Sequence, residues 1–268
     1  MDWTAWIGWG TLALIPAFLA LDLVHRAKNY KRPRWYRLRG LLMAVAVIGG
    51  SFGLASVWEQ VLVFPTLFDL SAMNVFAALG ITILVYEFFH YWYHRAAHRF
   101  NWLWLGAHQT HHSTESHDAF GANYTSPLDF VIFGSLPILV AVPLLGVPPL
   151  AGALFGAWIT FNAMFQHANM RTPRWLGYII ERPESHSLHH ATGVHKYNYS
   201  DLPLWDMVFG TFRNPRYFAD EVGFYQGASA RVPEMFAFKD VSKPPRKDDE
   251  KTTRILPTTS IIEAQQAA

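Results

Sequence analysis

The sequence predicts an all-α fold, a polytopic membrane bundle of about four to five transmembrane helices, and three observations predict it. Only 16% of the 268 residues are charged while 51% are hydrophobic, against the ~25% charged residues of ordinary soluble domains. The charges are also missing in long blocks. Residues 40–93 hold no Lys or Arg and only the acids Glu59, Asp69 and Glu87, and residues 130–170 hold no Asp, Glu, Lys or Arg at all. A soluble helix needs a solvated face, which such runs cannot supply. Finally, the apolar runs have lengths near the ~20 residues that cross a bilayer core.

Taken in order, the first run is Trp3–Val24. It lacks a basic leading region and a small-residue cleavage site, so it reads as an uncleaved anchor rather than a signal peptide. Residues 40–58 and 72–92 supply the second and third spans, and 128–147 and 149–166 the fourth and fifth. Gly146-Val147-Pro148-Pro149 breaks the last long run into a hairpin. Arg26, Lys28, Lys31, Arg32, Arg34, Arg37 and Arg39 crowd the first connection with no acid among them, whereas the connection from Glu59 to Asp69 has no basic residue. That asymmetry places the basic loop in the cytoplasm. With five spans, the stretch 95–127 and everything after residue 166 lie on the same cytoplasmic side. Three regions follow: 1–71, N-terminal transmembrane helices with the basic loop; 72–238, the histidine-bearing unit; and 239–268, a polar, Pro-containing tail of mixed charge expected to be disordered.

Composition excludes several classes. A formal net charge of +2 does not support charge-driven nucleic-acid binding. The absence of Cys removes disulfides, thiolate zinc or iron–sulfur sites, and a cysteine nucleophile. Histidine is the unusual residue: of 13, 12 lie between His90 and His195.

They are clustered. His94 and His98 stand four apart at the end of the third span and share a helix face. His108-x-x-His111-His112 and His186-x-x-His189-His190 repeat one pattern. In such a box, positions i and i+3 are expected to converge while the adjacent residue points about 100° away, so one box can feed two metals. His25 and His117 read as interfacial polar residues. His90, at the membrane edge, suits a supporting or gating role as well as ligation, and His195 lies in a loop just past a box. His167 ends the fifth span at the level of the boxes, as a ninth ligand or as a cap on the last carbonyls of its helix. Imidazole suits Zn, Cu, Fe and Ni alike. A mononuclear zinc site would leave most of these residues idle. H-E-x-x-H is absent, and the E-x-x-H of soluble di-iron bundles occurs only once, at Glu87–His90. The eight box histidines are best used by a dinuclear centre of two six-coordinate metals held in a helical cytoplasmic cap, with iron the natural candidate if oxygen is handled.

At this point the chain resembles the fatty acid hydroxylase / sterol desaturase superfamily of integral-membrane di-iron enzymes. Residues 87–98 look like its acidic-x-x-x-Tyr-Trp-x-His-Arg-x-x-His box, and His108–Ser113 and 186–190 resemble its two H-x-x-H-H boxes. Asn198-Tyr199 and the run from Trp205 to Thr211 look like its Asn-Tyr and Trp-Asp-x-x-Phe-Gly-Thr signatures, and His167 stands where the family often has another ligand. Glu87 replaces the more usual Asp, and Arg171 stands where the fatty-acid hydroxylase branch carries a further histidine. The resemblance implies a metal set of His94, His98, His108, His111, His112, His167, His186, His189 and His190, with two iron ions, O2 as co-substrate and lipid as substrate. The expected chemistry is hydroxylation or desaturation of an unactivated C–H bond in a sterol or hopanoid, fatty acyl chain, carotenoid, ether lipid or aminolipid. Electrons are expected from a separate ferredoxin- or cytochrome b5-type donor with its reductase. Arg95, Arg99, Glu115, Asp118 and Glu184 are expected to orient the imidazoles. The contrasting expectations are a histidine-rich membrane metal transporter or a non-catalytic relative.

Overall fold

The computed structural model describes residues 2–63 and 65–245. No β-strand occurs among them, only an isolated bridge between Ala191 and Val222. The helices that matter here are α1 Trp3–Val24, α2 Tyr36–Val61, α3 Val75–Arg99, α4 Gln109–His112, α5 Pro127–Leu139, α6 Pro149–His167 and α7 Pro183–His189. A π-helical turn, Val140–Leu144, prolongs α5.

Helix starts follow local chemistry. The Asp2 carboxylate accepts from the Ala5 amide at the head of α1, Asn74 caps α3 through the amides of Phe76 and Ala77, and Ser126 caps α5 through the amide of Asp129. Pro127 and Pro149 open their helices where a missing N–H costs nothing. Helices α1, α2, α3 and the segment Pro127–Leu144 are long and apolar enough to cross a membrane. These are four of the five expected spans. The fifth, α6, carries Asn162 and Gln166 and is not among the four; it packs against α1 and α3. Trp3, Trp6 and Trp9 are exposed on α1, as expected of an aromatic belt at a membrane surface.

Contacts at the two ends show how the helices alternate. At one end the amides of Leu67, Phe68 and Leu70 donate to the carbonyls of Pro143, Leu144 and Leu145, seating the α2–α3 connection on the α5–α6 hairpin. At the other end the amides of Ala119 and Asn169 donate to Asp22 near the end of α1. There Tyr36, at the start of α2, donates to Ser116 and Asp118, and Arg32 pairs with Asp118 at 2.9 Å. Gly40 of α2 lies so close to the Phe120 carbonyl that no Cβ would fit. The ends of α1, α3 and α6 and the starts of α2 and α5 therefore share one level, and the cap of loops and short helices is built there. The C-terminal stretch begins as part of this cap: Val241 is buried, its amide donates to Gln109, and Gln109 donates to the Lys239 carbonyl. The rest of the expected tail, 246–268, lies outside the described residues.

Candidate metal centre

Helix α3 delivers His94 and His98 on successive turns into the cap. The chain reverses at Phe100 and returns through Asn101–Leu103, a π-helical turn Trp104–His108, and α4. Helix α6 ends at His167, and α7 with His190 after it brings the last box. The imidazoles converge in two groups. His94, His98, His108, His112 and His189 form one, and His111, His167, His186 and His190 the other, with the ligand nitrogens of each group within 4.8 Å of one another. The nine residues expected to be ligands are the nine brought together.

Their division differs from expectation. The members of a box that share a group are i and i+4: His108 with His112, and His186 with His190. The central His111 and His189 cross to the opposite group. Four residues advance a helix by about 40° beyond a full turn, whereas three fall about 60° short, so the outer pair is better aligned. The groups abut, with the rings of His112 and His190 stacked at 4.2 Å.

Hydrogen bonds at the far side of the rings set the tautomers. His94 Nδ1 lies 2.8 Å from the Tyr199 carbonyl, His189 Nδ1 2.7 Å from that of Tyr197, and His167 Nδ1 2.8 Å from that of Ala163. A carbonyl only accepts, so each Nδ1 carries the proton and each Nε2 presents a lone pair. His108 Nδ1 meets Asp129 Oδ2 at 2.8 Å with the same result. The Nε2 atoms then face one another: His108 and His189 stand 3.2 and 3.1 Å from His112, and His167 and His190 stand 3.2 and 3.1 Å from His186. A proton on His112 Nε2 could serve only one of its two neighbours. His94 Nε2 and His98 Nε2 are buried without any hydrogen-bond partner. Converging bare lone pairs of this kind fit cations. Burial, reinforced by neighbouring histidines, holds His111, His112, His186 and His190 well below the ordinary 6.5. They are neutral at physiological pH, the state a metal requires.

The carbonyls that fix the tautomers are themselves held. His195, Tyr197 and Asn198 have positive φ, forming a tight reversal after α7. Asn198 donates to the carbonyls of Ser185 and Arg213 and accepts from the Arg213 amide. Asp206 accepts from the amides of Tyr199 and Ser200 and from the hydroxyls of Ser200 and Thr211. The Asn-Tyr and Trp-Asp-x-x-Phe-Gly-Thr residues thus position the backbone behind His94 and His189.

The side chains expected to orient imidazoles do something else. Arg95 donates to Tyr91, Glu115 accepts from the amides of Gly227 and Ser229, Asp118 binds Arg32, Tyr36 and Ser116, Glu184 binds Thr172 and Arg182, and Arg99 is exposed. Asp129 takes that role, and sequence reasoning missed it. Its visible sign is Ser126-Pro127-Leu128-Asp129, which reads as a helix start and says nothing of a partner 21 residues back. His195 joins neither group and instead meets His112 Nδ1 at 3.1 Å from behind. His90 stacks on His94 at 5.7 Å but faces Glu87 and Asp201. His117, set aside as interfacial, is buried beside the second group with Nε2 on the Gln166 carbonyl at 2.9 Å. His25 is exposed.

Fold and site together define an integral-membrane helical protein with a buried, all-histidine centre able to hold metal. The fatty acid hydroxylase family matches residues 79–211, which include all nine histidines, and that stretch of the chain is similar to the family. Human alkylglycerol monooxygenase is 33% identical over 167 residues, 58% of this chain and 34% of its own. A very-long-chain aldehyde decarbonylase of Oryza sativa subsp. japonica is 32% identical over 49% of this chain and 23% of its own. Sphinganine C4-monooxygenase 1 of Arabidopsis thaliana is 25% identical over 48% and 52%. The chain thus spans about a third of the length of the alkylglycerol monooxygenase it matches. No solved structure matches it.

Proposed function

We propose that this chain is an O2-dependent di-iron membrane oxidoreductase that hydroxylates, or by the same first hydrogen abstraction desaturates, an unactivated C–H bond of a lipid. The observation that carries this reading is the convergence of nine imidazoles into two adjoining groups at one end of a membrane bundle. His94, His98, His108, His112 and His189 would hold one iron, and His111, His167, His186 and His190 the other. Bound there, the metal pair supplies the redox chemistry that couples O2 reduction to C–H oxidation. The protein's part is to keep the rings neutral, fixed in tautomer and dry.

His98 is the least buried member of the first group, and a cavity of about 570 Å³ opens beside it, lined in part by Trp92, Arg95, Phe100, Lys196 and Tyr199. We place lipid access there, because the apolar and aromatic wall suits a chain and the cations suit a headgroup at the membrane surface. The basic first loop supports a cytoplasmic centre by the positive-inside rule. Electrons would come from a separate ferredoxin- or cytochrome b5-type donor with its reductase. The names of the relatives support lipid as substrate, and the decarbonylase leaves the fate of the oxidised carbon to experiment. Metal transport receives less support, because four of the rings are pinned through Nδ1 rather than strung along a path.

The test is comparative lipid analysis of cells with and without the gene, paired with iron content of the purified protein. A lipid shifted by one oxygen atom or by two hydrogens, with about two histidine-bound irons per chain, is the expected result. An unchanged lipid profile with readily exchanged metal would favour transport.

A further inference from the structure

The single Glu-x-x-His of the sequence, Glu87–His90, is not used by the nine-histidine centre. It lies on α3 one turn before His94, and the fold brings Asp201 to it from the segment after the last box. All three side chains are buried, Glu87 at 0%, His90 at 7% and Asp201 at 3% exposure. Among the described residues neither carboxylate forms an ion pair with Lys or Arg.

The polar atoms around this cluster are nearly all assigned. Glu87 Oε1 accepts from Trp158 Nε1 at 3.3 Å, and Oε2 from the amides of Asp201 and Leu202 at 3.0 and 3.2 Å. Asp201 Oδ1 accepts from Gln166 at 3.1 Å. His90 Nδ1 is buried and has no hydrogen-bond partner. It points between the carboxylates, 3.7 Å from Glu87 Oε2 and 3.9 Å from Asp201 Oδ2. These separations are too long for hydrogen bonds. Two ligands of a tetrahedral metal at ~2.1 Å stand ~3.4 Å apart; His90 Nδ1 lies within a few tenths of an ångström of that spacing from each carboxylate, and one ligand atom from each of the three residues lies within 4.8 Å of the others. The supporting hydrogen bonds already hold the carboxylates in that orientation, as outer partners do at metal sites.

We propose that Glu87, His90 and Asp201 form a third metal site, distinct from the histidine centre, for a divalent transition ion that accepts one nitrogen and two oxygen ligands. Such an ion balances two buried carboxylates. It also ties α3 to the segment whose Tyr199 carbonyl fixes His94, and so acts as a clamp behind the first histidine group.

The test loads purified full-length protein with Zn2+ as a redox-silent probe, removes the excess, and counts metal per chain by mass spectrometry. Wild type is expected to hold three ions, and Asp201→Asn and Glu87→Gln two. His90→Phe, whose ring fits beside Tyr86 and Phe133, should weaken the third ion at least tenfold in chelator titration and leave the other two in place. If Asp201→Asn fails to assemble, it loses the histidine-bound ions as well, and His90→Phe decides. Saturation of wild type at two ions, unchanged in all three variants, overturns the proposal and leaves the dinuclear reading standing. One ion in wild type, lost on His90→Phe, would overturn the dinuclear reading and keep this site.

Discussion

Asp129 offers the sharpest test of how the centre is tuned. Its carboxylate is buried at 1% exposure, with Oδ2 on His108 Nδ1 at 2.8 Å and Oδ1 accepting from Tyr93 at 2.8 Å. A charge-assisted bond of this kind contributes about 1.5–3 kcal/mol, and loss of an outer partner typically lowers metal affinity by ~10–100-fold. The two figures agree, since each tenfold corresponds to about 1.4 kcal/mol. Asp129→Asn keeps an accepting oxygen but removes the charge, so it should fall near the ~10-fold end; Asp129→Ala strands the His108 N–H and should approach ~100-fold. Asp129 also sits in the first turn of α5, where loss of its charge should cost about 0.3–1 kcal/mol of stability. Chelator competition on the folded protein separates the two effects. Glu115→Gln is the control, because that carboxylate binds only the amides of Gly227 and Ser229. Equal metal affinity in Asp129→Asn and Glu115→Gln would refute the role assigned to Asp129.

Four further outcomes are expected. His111→Ala and His189→Ala should each deplete a different metal group and abolish turnover while membrane insertion is unchanged; wild-type turnover in either would remove that residue from the site. His167→Gln should lower iron stoichiometry and activity together, whereas two irons with near-normal turnover would reduce His167 to a cap on α6. Single cysteines at Ser71 and Ser242 should label from opposite sides of the membrane, and same-side labelling would mean that the number of crossings is wrong by an odd count. Burial pushes the Glu181 carboxyl well above its ordinary 4.5, so the folded state keeps a proton that the unfolded state releases. Stability from this group is complete below about pH 4.5 and declines by up to about 1.4 kcal/mol per pH unit above it. Glu181→Gln should therefore raise the thermal midpoint at pH 8 more than at pH 5, and equal shifts would show that Glu181 ionises freely in the fold.

The membrane spans and the histidine boxes could be read from the sequence because each is a local pattern. Apolar runs with few charges mark α1, α2 and α3 without knowledge of what they pack against, and the repeated H-x-x-H-H spacing marks candidate ligands without knowledge of the metal. The pairing within a box was less accessible. Helical geometry permits both i+3 and i+4 partners, and the choice depends on where α3 and α6 stand. The outer partners were hidden for the same reason. Asp129 reaches His108 only after the chain has turned through the cap, while Glu115, close to His112 in sequence, faces the opposite way toward Gly227. Asp201 meets Glu87 from 114 residues away. What sequence proximity suggests about support for a metal ligand is weak, because hydrogen-bond partners of buried rings come from whichever element closes over them.

The crossing of each box between the two groups has a consequence for assembly. On the dinuclear reading, neither ion could be bound by one box alone: α4 and α7 each contribute to both groups, so the first ion captured would draw the backbone that must receive the second into place. Its binding already meets much of the ordering cost of the remaining ligands. Half-filled chains should therefore be scarce during maturation, and metal starvation should produce a mixture of full and empty molecules rather than a population of singly loaded ones.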